Sequence, residues 1–343
     1  MFISQEMDSG RFCGVCGFEK TYGYELFAKF ANKTVKSPRE FGGMVMTVEY
    51  CLFRLNSDVN IIISSEKYER LIKAKRQLVS MMKVEEKLNL LIENYSELEK
   101  DILNVSFNRM ISPVYSTDWI LSIGDFHLIN RRIINFLTTS RLYLDQILHD
   151  VKELSDDPTF SSIVEKLKNT EYENVLGYRV LEALRNYVQH RGLPVHLLSF
   201  NKSKVGDLSK HVINPFLKVS ELRNDGKFKA SVLNELEKEN EKADLKLYIR
   251  QYISSITKIH SAIRSYLSDN INKWDEEILS TYEEFDKEYG ETESLAIGEL
   301  YLNFRRNITF IMKEPTKRRK WLEQKNEELN NLVSKFISSE VTL

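Results

Sequence analysis

The chain has 343 residues, 42% of them hydrophobic, which is enough for one large domain or two to three smaller ones with their own cores. It carries 49 Lys and Arg against 50 Asp and Glu, and the resulting net charge of −1 excludes a protein that is basic throughout. Any surface for nucleic acid must therefore be local. Only 13 Gly and 6 Pro occur, and this scarcity predicts a helix-rich protein.

The three cysteines, Cys13, Cys16 and Cys51, form an odd set with no repeated framework, which is typical of a reducing compartment. Cys13 and Cys16 have zinc-knuckle spacing, but a structural zinc needs four ligands and no second pair follows. We therefore expect no metal and no cofactor. The chain lacks the pattern of a signal peptide and an apolar run of about 18 residues, so we expect a cytoplasmic protein without membrane contact.

Residues 1–64 are richer in glycine than the rest of the chain. They hold two apolar, β-branched runs, VMTVEYCLFRL and VNIIIS, which are separated by the turn-forming residues NSD. This pattern predicts a β-hairpin within a small mixed α/β unit.

From residue 65 the pattern becomes helical, with apolar residues alternately four and three positions apart, as in a heptad seam. The seam predicts either a dimerising coiled coil or one long helix inside a bundle, and its length of about three heptads favours the bundle. It comprises Val84, Leu88, Leu91, Tyr95, Leu98, Ile102 and Val105. Pro113 should stop this helix, and Thr117 or Asp118 should cap the next one.

The remaining pattern predicts helices over 119–154, 160–168, 171–191, 242–267, 270–288, 294–312 and 316–337, with a mixed region at 197–241 that holds a loop at NKSKVGD and a turn at RNDG. Gly192 is placed for a left-handed helix cap, and Pro194 prevents continuation of the third helix. The expected organisation is a mixed unit at 1–64, a long connecting helix at 65–117, a helical bundle at 118–268 and a helical C-terminal extension at 269–343. The predicted fold class is mainly α.

The helix before Gly192 separates its polar and apolar residues cleanly. At about 100° per residue, an apolar stripe of Val180, Leu181, Leu184, Tyr187 and Val188 opposes a polar face. That face gathers Arg179, Glu182, Arg185, Asn186, Gln189 and His190.

Two Arg–His pairs with the same spacing occur in this region, Arg185–His190 and Arg191–His196. Gly192 and Pro194 place the second pair in a turn. The first pair lies on the last two helical turns, with Asn186 directly after the arginine, and it is therefore the candidate site.

The segment RNYVQH at 185–190 resembles the R-x(4–6)-H motif of the HEPN (higher eukaryotes and prokaryotes nucleotide-binding) superfamily, which commonly has Asn, Asp or His after the arginine. The helix NRRIINFLTTSRLYLDQIL, the motif block and the later helix LKLYIRQYISSITKIHSAIR also follow the order of an uncharacterised bacterial HEPN group. This resemblance covers about residues 118–267. It implies an antiparallel helical bundle that forms a homodimer through the motif helix, and active members are metal-independent endoribonucleases of phage defence, toxin and stress systems.

Carried over residue by residue, the resemblance makes Arg185, Asn186 and His190 the candidate catalytic residues. Histidine can act as base or acid near neutral pH, and arginine offers a fixed cationic fork for phosphate oxygens. Arg185 and His190 lie about 140° apart on their own helix, so we expect a site composed from two copies. The substrate should be RNA, because its 2′-OH is the nucleophile that DNA lacks.

Glu182, Gln189 and His196 are candidate supporting residues, with His196 at the mouth of the groove. Glu182 is also expected to form a structural ion pair with Arg179 or Arg185. In one HEPN toxin group a partner nucleotidyltransferase modifies a tyrosine just after the histidine, and no such tyrosine follows His190. A regulatory protein remains an expected partner of such an effector.

Two alternatives to the ribonuclease remain open from the sequence. One is a catalytically inactive HEPN-like helical module that binds a partner protein, a nucleotide or RNA. The other is a structural helical protein whose motif is a coincidence.

The most basic local run is KEPTKRRKWLEQK at 313–325. One interpretation makes Lys317, Arg318, Arg319 and Lys320 contacts to the RNA backbone, together with Arg179 and with Trp321 as a stacking partner. The other, which we prefer, is a solvated helix start with Trp321 packed inward. The remaining histidines are expected to be surface or core-edge side chains (His127, His149 and His260) or structural (His211).

Overall fold

The computed structural model describes residues 48–55, 57–112, 118–239, 241–301 and 304–337, and these residues are mainly helical, as expected. In chain order the elements are β1 (Glu49–Arg54), β2 (Ile61–Ile63), α1 (Ser65–Ile111), α2 (Trp119–Leu154), α3 (Pro158–Asn174), α4 (Leu176–His190), β3 (Leu197–Val205), β4 (Leu208–Lys218), α5 (Val219–Asp225), α6 (Ala230–Glu239), β5 (Lys242–Asp244), α7 (Leu245–Tyr289), β6 (Leu295–Tyr301), β7 (Phe304–Ile311), α8 (Glu314–Lys325) and a 3₁₀ turn (Leu332–Ser334). The predictions for Cys13, Cys16, Pro113 and Thr117 lie outside the described residues.

Helix α1 runs antiparallel to both α2 and α7. Ion pairs between α1 and α2, or the residues just after α2, come in reverse chain order: Asp101 with Arg132, Lys87 with Asp150, and Lys73 with Asp156. Pairs between α1 and α7 do the same: Glu99 with Arg250, Glu85 with Arg264, and Lys67 with Glu284. The three longest helices therefore form the frame of the bundle.

The heptad seam of α1 is buried within this frame. Every residue of the predicted stripe is at most 9% exposed and belongs to the same core as Ile129, Ile133 and Phe136 of α2. The seam thus packs inside the chain's own bundle, which is the arrangement that its short length favours.

Helix α2 has the predicted bounds because its start signal is local. The Asp118 carboxylate accepts from the backbone N–H groups of Ile120 (2.7 Å) and Leu121 (3.1 Å), which would otherwise lack partners in the first helical turn.

The predicted hairpin at the start of the described chain is present, and it belongs to a four-stranded antiparallel sheet of order β2-β1-β6-β7. The prediction of a helix at 294–312, within a purely helical extension, is wrong because β6 and β7 occupy these residues. Leu295, Ala296 and Ile297 are all fully buried. A strand buried on both faces gives a continuous apolar run, and periodicity cannot separate such a run from a helix.

Two further boundaries differ from the predictions. Residues 245–289 form the single helix α7, not two helices, because Leu267, Ile271 and Ile278 keep a helical spacing in the core across the predicted break. The last helix ends at Lys325, since Arg264 and Arg250 of α7 donate to the carbonyls of Asn326 and Lys335 and hold the following segment in a non-helical path. Among the described residues, none of the helices combines the length and apolarity that a membrane crossing requires.

Candidate active site at the end of helix α4

Helix α4 carries the motif, and its apolar stripe is buried as the helical wheel predicts. Val180, Leu181 and Leu184 are fully shielded in the core, whereas Tyr187 and Val188 pack at its edge. Burying one aliphatic side chain of this size stabilises a fold by about 1.5–3 kcal/mol. The stripe therefore fixes which face of α4 points outward.

The start of α4 lies against α7 at a glycine. The Gly177 N–H donates to Gln251 Oε1 (2.9 Å), and a Cβ on Gly177 would lie only 2.6 Å from Gln251 Cβ. Only glycine permits this approach of the two helices. The predicted single helix over 171–191 is wrong, because the chain is extended at Val175 and is divided there into α3 and α4.

The end of α4 is closed by its own backbone. The Arg191 N–H donates to the Tyr187 carbonyl oxygen (2.8 Å), and His190 is the last helical residue. The prediction of a left-handed cap at Gly192 is wrong, since Gly192 has no positive φ. A Cβ on Gly192 would lie 2.9 Å from the Tyr187 hydroxyl oxygen, so this glycine leaves room for that side chain.

Arg185, Asn186, Gln189 and His190 share the outer face of α4. Arg185 Nη1 donates to Asn186 Oδ1 (3.0 Å), which orients the guanidinium, and the other three side chains are exposed. Within the described ranges of the chain, Gln189 and His190 have no hydrogen-bond or ion-pair partner. The face thus offers an oriented cationic fork and a free imidazole.

Two other polar residues of the same helix are committed to the fold. Arg179 donates to the carbonyls of Tyr172 (2.9 Å) and Glu173 (2.6 Å) and pairs with Glu235 of α6 (2.5 Å). These contacts tie α3 to α6, so the structure gives the Arg179 guanidinium a structural role and does not place it with the predicted RNA contacts.

Glu182 lies one turn before Asn186 and faces the bundle. It accepts from Arg141 Nη1 (3.1 Å) and from the Tyr252 hydroxyl. The expected pairing with Arg179 or Arg185 is wrong, and the ion pair joins α4 to α2 instead. Burial, and then the Glu182 charge, raise the pKa of Tyr252 well above its ordinary value, so this hydroxyl stays a donor.

His196 is not at the mouth of the exposed face. Its side chain is 6% exposed, its Nδ1 accepts from the Lys218 backbone N–H (3.2 Å), and its ring meets the Tyr187 ring edge-on at 5.8 Å. Burial lowers its pKa, so the ring is neutral near pH 7. Arg191 and His196 do not form a site together, because Arg191 is exposed whereas His196 packs against the start of α5.

Helix α8 uses most of the basic run internally. Arg319 is 3% exposed and bonds to Asp275 (2.5 Å) and to Glu323, while Lys320 Nζ lies 3.4 Å from the same Asp275 carboxylate. Arg318 lies 3.6 Å from Glu86, and Lys317 is exposed without a partner among the described residues. The expectation that Trp321 packs inward is wrong, since it is 48% exposed with Arg318 and Lys325 beside its ring.

Sequence reasoning missed a network of polar side chains in the centre of the bundle. The Tyr143 hydroxyl lies 2.8 Å from His260 Nδ1, His260 Nε2 lies 3.0 Å from Glu85 Oε1, and Arg264 donates to both Glu85 oxygens (2.8 and 2.5 Å). His260 is 1% exposed, so its expected place at the surface or core edge is wrong. No local signal in the sequence marks this network, because His260 and Glu85 are 175 positions apart.

This network also holds Glu85 in its charged form. Burial raises the pKa of Glu85, but the His260 ring and the Arg264 guanidinium together outweigh burial and lower that pKa from 4.5 to about 2. Both ring nitrogens of His260 and both carboxylate oxygens of Glu85 have a partner, which is the pattern of a structural network.

No group of three or more His, Cys, Asp or Glu in the described part of the chain is placed to hold a metal ion. Comparison of the chain with protein-family models, curated proteins and solved structures gives no match.

Proposed function

We propose that the chain is a HEPN-type, metal-independent endoribonuclease whose site is composed from two copies of helix α4 in a homodimer. The observation that supports this most is the exposed His190, which has no partner among the described residues and lies beside the Arg185–Asn186 pair at the end of α4. Their polar neighbours Arg179 and Glu182 are held by the fold, so His190, Arg185 and Asn186, with Gln189 beside them, are left for a substrate.

The chemistry needs only groups of this kind. The ribose 2′-OH attacks the adjacent phosphorus, the bond to the 5′-oxygen breaks, and the products are a 2′,3′-cyclic phosphate and a free 5′-OH. One His190 takes the 2′-OH proton, and a second protonates the leaving oxygen. Arg185, oriented by Asn186, stabilises the charge that develops on the phosphate oxygens.

The dimer follows from the direction of the side chains. Arg185 and His190 leave α4 about 140° apart, which does not suit one shared phosphate. Two facing helices would bring an arginine of one copy towards a histidine of the other. An effector of this kind in a defence or toxin system would be restrained by a regulatory protein until triggered.

The test is incubation of a labelled RNA with wild type, Arg185→Ala and His190→Ala in EDTA. We expect each variant to lose about 10²–10⁴-fold in cleavage rate, with no change on chelation. Arg191→Ala and His149→Ala are matched controls, because both residues are exposed and lie off the candidate face. Equal cleavage by all five proteins would assign the activity elsewhere or to a contaminant.

Mixing the two inactive variants tests the composite site. A mixed dimer of Arg185→Ala and His190→Ala still holds one intact arginine and one intact histidine on opposite copies, and water has to replace the missing second histidine in its proton transfer. We expect partial recovery of cleavage on mixing, and a mass in solution of twice 40.3 kDa. A wild-type dimer that binds RNA or another partner without cleaving it would support the inactive-module alternative, and a strict monomer would overturn the composite site.

A further inference from the structure

Strands β3 and β4 form a hairpin that extends beyond the bundle. They pair in register from Leu197↔Phe216 to Val205↔Leu208, while β5 covers only residues 216–218 of β4. All residues from 201 to 210 are exposed. The sequence predicted a loop at 201–207, and that prediction is wrong, because a regular ladder pairs the two strands. Residues 200–213 are called the β3–β4 arm below.

The arm carries unbalanced positive charge. Its exposed residues, 201–210, include three lysines, Lys202, Lys204 and Lys210. Asp207 is the only acidic residue between positions 198 and 220 of the sequence. In the portion of the chain that the structure describes, none of the three lysines has a hydrogen bond or an ion pair. This contrasts with α8, where the fold engages three of the four consecutive basic residues.

Alternation along the strands sorts these charges onto two faces. Lys202 is directly opposite His211 and Lys204 is opposite Ser209, so these four side chains share one face, and Lys210 lies on the other. At the base of the basic face, Leu198 and Ile213 are buried in the bundle core. The basic face therefore turns towards the body of the protein.

A cleft of about 250 Å³ lies between this face and the adjoining ends of α1 and α2. Its lining includes Ser106, Arg109, Ser122, Phe200, Lys202 and His211. Arg109 is fixed in its wall by Asp125 (2.9 Å), by Ser122 (3.1 Å) and by the Phe200 ring, 3.2 Å from the guanidinium carbon. His211, expected to be structural, is half-exposed here without a partner among the described residues.

We infer that the β3–β4 arm holds the phosphate backbone of RNA through Lys202, Lys204 and His211 and guides it along the cleft. As a device for the substrate, this rests on the proposed function. Residues two apart on a strand are about 6.6 Å apart, which is close to the spacing of successive phosphates in an extended nucleic-acid strand. An extended acidic peptide has the same spacing between alternate side chains, so the choice of RNA as the occupant comes from the proposed function.

A competing explanation is that the lysines only protect exposed strand edges from pairing with other chains. Edge protection requires charge but no receiving surface. The arm has such a surface, because Lys202 and His211 line the cleft together with the Arg109 guanidinium.

The test measures binding of a fluorescein-labelled single-stranded RNA of mixed sequence by anisotropy. All proteins carry His190→Ala, so that the RNA is not consumed. We expect Lys202→Gln/Lys204→Gln to raise Kd by about tenfold or more at low salt. Losing two phosphate contacts should also reduce the slope of log K against log salt by about 1.4 between about 50 and 200 mM.

The matched control is Lys83→Gln/Lys273→Gln, which removes the same charge from two exposed lysines on α1 and α7 that have no ion pair with any described residue. If both double variants raise Kd equally, the loss of net charge explains the effect and the inference about the arm is overturned. An unchanged Kd in Lys202→Gln/Lys204→Gln would overturn it as well. Competition by polyglutamate as strong as that by unlabelled RNA would assign the arm to an acidic protein. If binding depends on the arm lysines but wild type does not cleave RNA, the proposed function is refuted and the arm inference stands. If wild type cleaves RNA but Lys202→Gln/Lys204→Gln changes neither cleavage nor binding, the arm inference is refuted and the proposed function stands.

Discussion

His190 and His260 both lie on helices of the bundle, and their surroundings are opposite. His260 is buried in α7, and its two ring nitrogens face Tyr143 and Glu85 at 2.8 and 3.0 Å. His190 is exposed at the end of α4 and has no partner in the described chain. A histidine with both nitrogens bonded holds the fold, whereas one with both free is open to a substrate.

The comparison separates two kinds of conspicuous polar residue. The buried network around Glu85, whose pKa is clearly lowered, is not where we place the chemistry. Perturbed ionisable groups mark functional sites only as a probability, because structural ion pairs perturb pKa values as well. Accessibility decides between the two histidines, since a molecule in solution can reach the exposed His190 but not the buried His260.

The largest effect on stability is expected from removing the charge at the centre of the network. Glu85→Ala leaves the Arg264 cation and the His260 ring without the carboxylate that both contact. Breaking a buried pair in this way costs about 3–5 kcal/mol. Urea unfolding, read from the midpoint at constant m, measures the loss.

Glu86→Ala is the matched control, because Glu86 is the next residue of α1, is 36% exposed and, among the described residues, forms an ion pair with Arg318 alone, at 3.6 Å. It should cost less than about 1 kcal/mol. Similar losses in the two variants would mean that the Tyr143–His260–Glu85–Arg264 network does not stabilise the fold, and the contrast between the histidines would disappear.

A smaller effect is expected from acid. Because the folded-state pKa of Glu85 lies near 2 and below its ordinary 4.5, folding favours the charged carboxylate. This stabilisation is complete above about pH 4.5, is lost as the pH falls towards 2, and amounts to about 3 kcal/mol in all. The free energy of unfolding of wild type should therefore approach that of Glu85→Gln as the pH falls.

Urea titrations of both proteins between about pH 6 and pH 3 measure this convergence. Other carboxylates titrate in the same range, but they do so in both proteins and cancel in the difference. A difference that stays constant over this range would show that Glu85 is not held charged by His260 and Arg264.

The sequence predicted the elements whose signals are local. Asp118 caps α2 with its own side chain, and the stripe from Val84 to Val105 records the buried face of α1. The separation of faces on α4 was equally readable although the predicted start of the helix was wrong, because the helical period alone fixes the relative directions of Arg185 and His190.

Partners that are distant in sequence were not predictable in this way. Glu182 pairs with Arg141 across 41 positions, and the buried strand β6 depends on pairing with β1, about 245 positions earlier. The paired arm was missed for a similar reason, since polar residues at 201–211 give no apolar alternation and only the ladder makes them strands. Exposure and pairing of charges, which separate the arm from α8, likewise exist only in three dimensions.

The smallest expected effect completes the comparison between the histidines. His190→Ala should change the free energy of unfolding by no more than about 0.5 kcal/mol, the usual range for exposed sites without special contacts. Arg185→Ala should behave alike, because its Asn186 contact lies on the same exposed face. The measurement is urea unfolding on the preparations used for RNA cleavage. Large losses of cleavage with unchanged stability would place His190 in the chemistry, whereas a loss of 2 kcal/mol or more would give it a structural role like that of His260.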